Sequence, residues 1–258
     1  MGQLLKLQWQ IDPNDVLDVL SARTDSPRMR VLRSILSGPI DVDKMDYLDR
    51  DSLHCGVPYG RHFDRQRLIQ SLLLNAEGDG LAISYKGKTA AELMVFARYV
   101  MFSEVYWHHA VRSATSMFAR AFYELRERVD LQQLFGLTDA DMIAELRQAS
   151  VKTPAEALLD GVFGRRRGLY KRIAEYGHDR EPQLFEQLSG RPYADIARWS
   201  DELSRRVGLE SDPAAILIDA PPPHREVEIE VDVFYPKHDE HRRRQDGSPV
   251  VDAVTRTP

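Results

Sequence analysis

Apolar positions in the first part of the chain recur at helical spacing between strong start and stop signals. Asp12-Pro13 opens one run, with Val16, Leu17 and Leu20 on one face. Ser26-Pro27 opens a second, with Met29, Leu32, Ile35 and Leu36, and Ser37-Gly38-Pro39 breaks it. A third helix is predicted from about Val42 to Cys55, capped by Asp41 and stopped by Gly56-Val57-Pro58. The pattern then changes. Leu72-Leu73-Leu74 and Leu81 to Tyr85 flank Glu77-Gly78-Asp79-Gly80, which predicts a β-hairpin.

From Ala90 to about Asp130 there is neither Gly nor Pro, and the composition predicts one long helix or two abutting ones. Further helices are predicted over 139–149, 154–162, 182–188 and 193–207. Ala215 to Asp219 reads as a strand. So does Val227 to Tyr235, where Val227, Ile229, Val231 and Val233 alternate with Glu226, Glu228, Glu230 and Asp232. Beyond Lys237 a polar, mobile tail is expected. The fold class is therefore mainly α with small β additions, divided into residues 1–130 and a helical-plus-β region over 131–258.

The segment Asp41 to His54 carries an unusual set of side chains. On a helical wheel of about 100° per residue, Arg50, Asp43, His54, Tyr47, Asp51 and Lys44 follow one another in that order around the circumference. These ionisable groups share roughly a third of the circle and extend about 16 Å along the axis, the length of a nucleotide. A solvated face laced with ion pairs is the ordinary explanation of such a stripe. A phenol in its middle and strongly apolar neighbouring segments favour a cleft wall instead, where carboxylate, ammonium and phenol could hold a metal and phosphate oxygens.

Composition narrows the partners. The chain has 258 residues, and 35 basic against 40 acidic residues leave a net charge of −5. That balance disfavours nucleic acid as a dedicated partner. Cys55 is the lone cysteine, so no intrachain disulfide is possible. No apolar run approaches the roughly 20 residues of a membrane helix, which argues against a membrane partner. The start, Met1 to Lys6, resembles neither a signal peptide nor a myristoylation site, and a cytoplasmic location is the expectation.

The run Ser37-Gly-Pro-Ile-Asp-Val-Asp-Lys-Met-Asp-Tyr-Leu-Asp-Arg-Asp51 resembles the HD-domain phosphohydrolases, in particular their deoxynucleoside triphosphate triphosphohydrolase branch. Trp9 to Pro13, Phe63 to Ile69, Ala97 to His109 and Ile216 to Tyr235 are similar to that branch too. The resemblance implies an HD-type helical fold, hydrolysis of nucleoside triphosphates or related phosphate esters, a divalent metal ion and a homo-oligomer. Asp43 matches the last aspartate of the family's metal site. Lys44 and Tyr47 match triphosphate-contacting positions, Asp51 the position that binds the sugar 3′-hydroxyl, Arg98 a phosphate-binding arginine and Tyr106 a residue packed on the sugar. On a continuous helix Arg98 and Tyr106 would lie about 80° apart and could face one cleft.

The family's other metal ligands, a histidine and a His-Asp pair, and its catalytic histidines precede this motif, and no histidine occurs before Asp43. The expectation is thus the C-terminal portion of a longer enzyme, a truncated reading frame or a degenerate copy. No catalytic residue is assigned, and hydrolysis by this chain alone is expected to be weak or absent. His178-Asp179 and His238-Asp239 are literal HD dipeptides, but both follow Asp43 in loop-like sequence. Arg165–Arg167 and Arg242–Arg244 read first as solvated surface, second as an anion or subunit contact. The alternative function is a non-catalytic nucleotide-binding or oligomerising protein.

Overall fold

The computed structural model describes residues 2–21, 23, 25–176, 181–209, 212, 214–220, 232–235 and 240–243. The chain divides into two compact units, residues 1–105 with 226–257, and residues 106–225.

The first unit begins with α1 (Gly2–Gln8), α2 (Pro13–Ser21) and α3 (Pro27–Leu36), none of which has a buried residue. Ser26 caps α3 through its side chain, as its sequence suggests. The guanidinium of Arg33 donates to the carbonyls of Asp18 and Val19 at 2.9 and 3.3 Å, tying α3 to α2. Leu7 and Leu20 stand 82% and 70% exposed.

Helix α4 (Val42–Cys55) has the predicted bounds. The Asp41 side chain caps its start, and Gly56 ends it at φ 68°, a left-handed conformation that a Cβ would strain. Met45, Leu48 and Ser52 form its buried face. After a 3-10 turn (Tyr59–Arg61) and α5 (Arg65–Gln70), the predicted hairpin appears as β1 (Leu72–Leu74) and β2 (Leu81–Ser84), paired antiparallel with Leu73 opposite Ala82. Helix α6 (Lys88–Met101) then buries Ala90, Ala91, Met94, Val95, Ala97 and Met101. Each Met or Val so buried contributes roughly 1.5–3 kcal/mol.

Two strands from the far end of the chain complete this unit. β3 (Asp232–Tyr235) runs parallel to β2, and β4 (Glu240–Arg243) runs antiparallel to β3, giving a four-stranded sheet in the order β1-β2-β3-β4. Val233 is fully buried, in keeping with the alternation read from the sequence. The rest of that expected strand, 227–231, lies outside the described residues. The expected mobile tail is corrected for residues 240–243, whose backbone finds ladder partners on β3.

The run expected as one or two helices comprises α6, a π-helical turn at Phe102–Tyr106, and α7 (His109–Leu125), which belongs to the second unit. That unit continues with α8 (Leu131–Leu134), α9 (Asp139–Ser150), α10 (Pro154–Phe163), α11 (Pro182–Leu188) and α12 (Tyr193–Arg206). Its core gathers Met117, Ala121 and Leu125 of α7 with Leu134, Leu146, Leu158 and Leu159. Residues 215–219 form no strand, contrary to their apolar pattern. The N–H groups of Ile216 and Ile218 donate instead to the hydroxyls of Ser204 and Ser200 on α12, at 3.2 and 3.1 Å, so one helix supplies the acceptors a neighbouring strand would have offered. Among the described residues no helix is long and apolar enough to cross a membrane.

Candidate functional site

The ionisable stripe of α4 divides along its arc. Arg50, Asp43 and His54, at the edge farthest from the buried face, are exposed, whereas Tyr47, Asp51 and Lys44 are half-buried. The packing of the helix explains this. Met45, Leu48 and Ser52 fix which side faces the core, and on the wheel Lys44 and Asp51 stand next to that side. Arg50 is engaged in an ion pair with Asp46 one turn away, an exposed pair that contributes little.

The half-buried members have partners. The Lys44 ammonium donates to Asp41 Oδ2 at 2.6 Å and to the Gly38 carbonyl at 2.9 Å. Asp41 is 3% exposed, and its carboxylate also accepts the N–H of Lys44 on Oδ1 at 2.7 Å and that of Gly38 on Oδ2 at 3.1 Å. One buried carboxylate therefore caps the helix, closes the Gly38–Asp41 turn and holds the lysine.

Arg98 comes to the site from α6. It lies four residues after Met94 and three before Met101, both fully buried, and so shares their face at the rim of the core. Its guanidinium lies beside the Tyr47 phenol, near enough to act on its titration. Burial pushes the Tyr47 hydroxyl above its ordinary pKa, Arg98 pulls it back through its charge, and Asp41 and Asp43 add to the rise. The phenol is neutral at physiological pH and can donate a hydrogen bond.

Ser52 and Gly60 lock the two helices in register. The Gly60 N–H donates to Ser52 Oγ at 2.7 Å, and that hydroxyl lies 3.5 Å from Met101 Sδ. A Cβ on Gly60 would come within 2.1 Å of the Leu48 carbonyl oxygen, so only glycine permits the turn to seat against α4.

Lys44, Tyr47 and Asp51 thus occupy one flank of α4, and Arg98 joins them at Tyr47. Tyr106 is the last residue of the π turn and half-buried at the start of the second unit. The angular relation to Arg98 expected on a continuous helix does not carry over, because a π turn lies between the two and shifts the helical phase. Next to it, Trp107 lies beneath the Arg112 guanidinium, 4.3 Å from the ring centroid, and Arg112 is held by both Asp219 oxygens. His108 and His109 are exposed; His108 Nδ1 accepts the Ala110 N–H at the start of α7.

Asp43 is exposed, and among the described residues no group of three or more His, Cys, Asp or Glu side chains could hold a metal ion. A lone carboxylate does not fit a divalent cation, which takes several protein ligands. His178-Asp179 and His238-Asp239 lie outside the described residues, as do the side chains of Arg242–Arg244; Arg165–Arg167 are exposed in irregular backbone. Sequence reading saw Asp41 only as a cap. Its spacing of three from Lys44, which brings a carboxylate and an ammonium together at a helix start, was the available sign of its second role.

A family model described as "HD associated region" matches residues 63–258. An uncharacterized protein of Methanocaldococcus jannaschii is 36% identical over 149 residues, covering 56% of this chain and 31% of its own length. An uncharacterized protein of Bacillus subtilis is 34% identical over 123 residues, 48% of this chain and 27% of its own. A putative HD domain-containing protein of Acanthamoeba polyphaga mimivirus is 30% identical over 119 residues, 43% of this chain and 25% of its own. The matched stretch spans about a third or less of each of these proteins. Among solved structures, a hypothetical protein from Aquifex aeolicus superposes with a TM-score of 0.66 at 19% identity, over 97% of this chain and 64% of that one. A phosphohydrolase from Bacteroides thetaiotaomicron gives 0.59 at 19% identity, over 94% of this chain and 64% of that one. The chain therefore shares its mainly helical fold with these two structures.

Proposed function

The chain belongs to the HD-associated-region family, and on that footing we propose that it supplies the substrate-gripping part of an HD-type phosphohydrolase acting on (deoxy)nucleoside triphosphates or related phosphate esters. Lys44 and Arg98 bring two positive charges and Tyr47 a neutral hydroxyl donor to adjoining positions, a set suited to phosphate oxygens. Asp51, half-buried on the same flank, accepts from a sugar hydroxyl, as the resemblance implies. The observation that carries the reading is the placement of Arg98 of α6 beside the Tyr47 phenol of α4, which brings residues far apart in sequence to one rim.

Asp43 is the one metal-ligand position this reading assigns. No hydrolytic step is derived through a metal, because the described residues do not complete a site. The second reading is a protein that binds nucleotides or self-associates without hydrolysing them. Equilibrium titration with a dNTP panel, beside a phosphate-release assay, tests both. Lys44→Ala and Arg98→Ala are each expected to weaken dNTP binding about tenfold or more, the effect of losing a charge-assisted hydrogen bond. Unchanged affinity in both variants refutes the site. Binding without phosphate release selects the second reading, and light scattering reports the expected homo-oligomer.

A further inference from the structure

We propose that Asp41 is a positioning residue for this phosphate grip, acting through Lys44. The inference rests on Lys44 being a phosphate ligand. Lysine is a flexible point charge whose ordering opposes binding, yet here two of its three N–H donors are committed to fixed acceptors, Asp41 Oδ2 at 2.6 Å and the Gly38 carbonyl at 2.9 Å. The third donor remains for a ligand. The anchor is itself immobile. Asp41 is 3% exposed and accepts from two backbone N–H groups, one at the helix start and one across the Gly38–Asp41 turn. Lys44 is 19% exposed in this pair, at the edge of solvent where an anion can reach it.

Asparagine separates capping from positioning. Its single oxygen can still accept from the Lys44 N–H and cap α4 as well as aspartate does. Its NH2 group would then face two donors, the Gly38 N–H and the Lys44 ammonium, and the lysine is released. Removing a carboxylate's charge would by itself favour an anion, so a loss of affinity in this variant isolates the effect of position.

The test is a pair of double-mutant cycles read by calorimetric titration of the whole chain with inorganic triphosphate, with thermal melts to verify folding. Asp41→Asn is expected to weaken binding about tenfold in the wild-type background. In the Lys44→Ala background the same change has no further effect, because the group it positions is gone. In the Arg98→Ala background it multiplies with the arginine's loss. Equal multiplication in both backgrounds means that Asp41 acts on the fold at large and overturns the proposal, as does unchanged or tighter binding by Asp41→Asn alone. If Lys44→Ala binds like wild type, the phosphate reading of Lys44 falls and takes this inference with it; if Lys44→Ala is weakened but the cycles show no coupling, only the inference falls. Should Asp41→Asn not fold, Asp41→Ser, whose hydroxyl caps without a second acceptor, runs through the same cycles.

Discussion

Ser52→Ala tests the joint on which the candidate site depends. Ser52 is 1% exposed, Gly60 is buried, and the 2.7 Å bond from the Gly60 N–H to Ser52 Oγ is the contact that seats the Tyr59–Arg61 turn between α4 and α6. Alanine fits the space without strain but strands that N–H away from water. A stranded buried donor costs about 1–3 kcal/mol, and the lost contact to Met101 Sδ adds little. A destabilisation of about 2 kcal/mol corresponds to a fall in melting temperature of about 4–8 °C for a chain of this size. Circular-dichroism melts and urea titrations measure it, with Ser103→Ala, an exposed serine bonded to Glu104, as a control expected within about 0.5 kcal/mol of wild type. Because α4 carries Tyr47 and α6 carries Arg98, triphosphate affinity should fall in the same variant. A Ser52→Ala protein as stable as the control would refute the claim that this hydrogen bond holds the two helices in register.

Two further outcomes concern the second unit. Burial pushes the Tyr193 hydroxyl up to about 12 from its ordinary value of 10, with Arg120 opposing the rise and Glu124, Asp219 and Tyr123 adding to it. Between those pH values the unfolded chain releases the proton first, the native state binds more protons, and stability falls as pH rises, by about 1–2 kcal/mol once the exposed part of the ring is discounted. Tyr193→Phe should flatten the alkaline limb of a stability–pH curve, and an unaltered limb would count against the assignment. Arg120, 2% exposed, donates to Asp201 Oδ1 at 2.6 Å and to the Ala197 carbonyl at 3.2 Å, with Glu124 2.8 Å from its Nε. Asp201→Ala leaves a buried guanidinium short of a partner and should cost about 3 kcal/mol, more than Arg120→Met, which leaves only carboxylates that water already reaches. Denaturant melts giving the reverse order would contradict this account of the pair.

Local chemistry made some of this architecture readable in advance. Asp41 and Gly56 bracket α4 because capping and a left-handed stop are decided within a few residues, and the 72–84 hairpin was visible for the same reason. Helix α1 has no signature in the sequence because Leu4, Leu5 and Leu7 carry no capping signal, and nothing in Phe102–Tyr106 marks the π turn. The strand expected at 215–219 rests on Ile216 and Ile218. Its failure depends on Ser200 and Ser204, whose hydroxyls compete for those N–H groups from another element. The parallel pairing of β3 with β2 sets Asp232 beside Ala82, from the opposite end of the chain. Over such a separation hydrophobic periodicity says which face is buried but not against what. The same limit applied to the site. The wheel located the stripe of α4, yet which half of it is sheltered, and that Arg98 meets Tyr47 there, depended on how α6 packs.

The placement of Arg98 is where stability and binding part company. Its position continues the line of Met94 and Met101, and a methionine or leucine there would bury apolar surface without the desolvation cost a guanidinium carries. Tyr47 likewise occupies a position where phenylalanine would pack without needing a partner for its hydroxyl. Pairing the two recovers part of the cost, but a fold built for stability alone has the simpler apolar solution. The arrangement makes physical sense if a half-sheltered positive charge is useful in itself. At such a rim water screens less than at an open surface, so the same guanidinium attracts an anion more strongly. Lys44 follows the same logic on the facing helix, held by a buried carboxylate at the edge of solvent. Two cations, both ordered by the fold before any ligand arrives and both held at a cost in desolvation, are what a site for a multiply charged phosphate requires, and an ordinary solvated helix face would have neither.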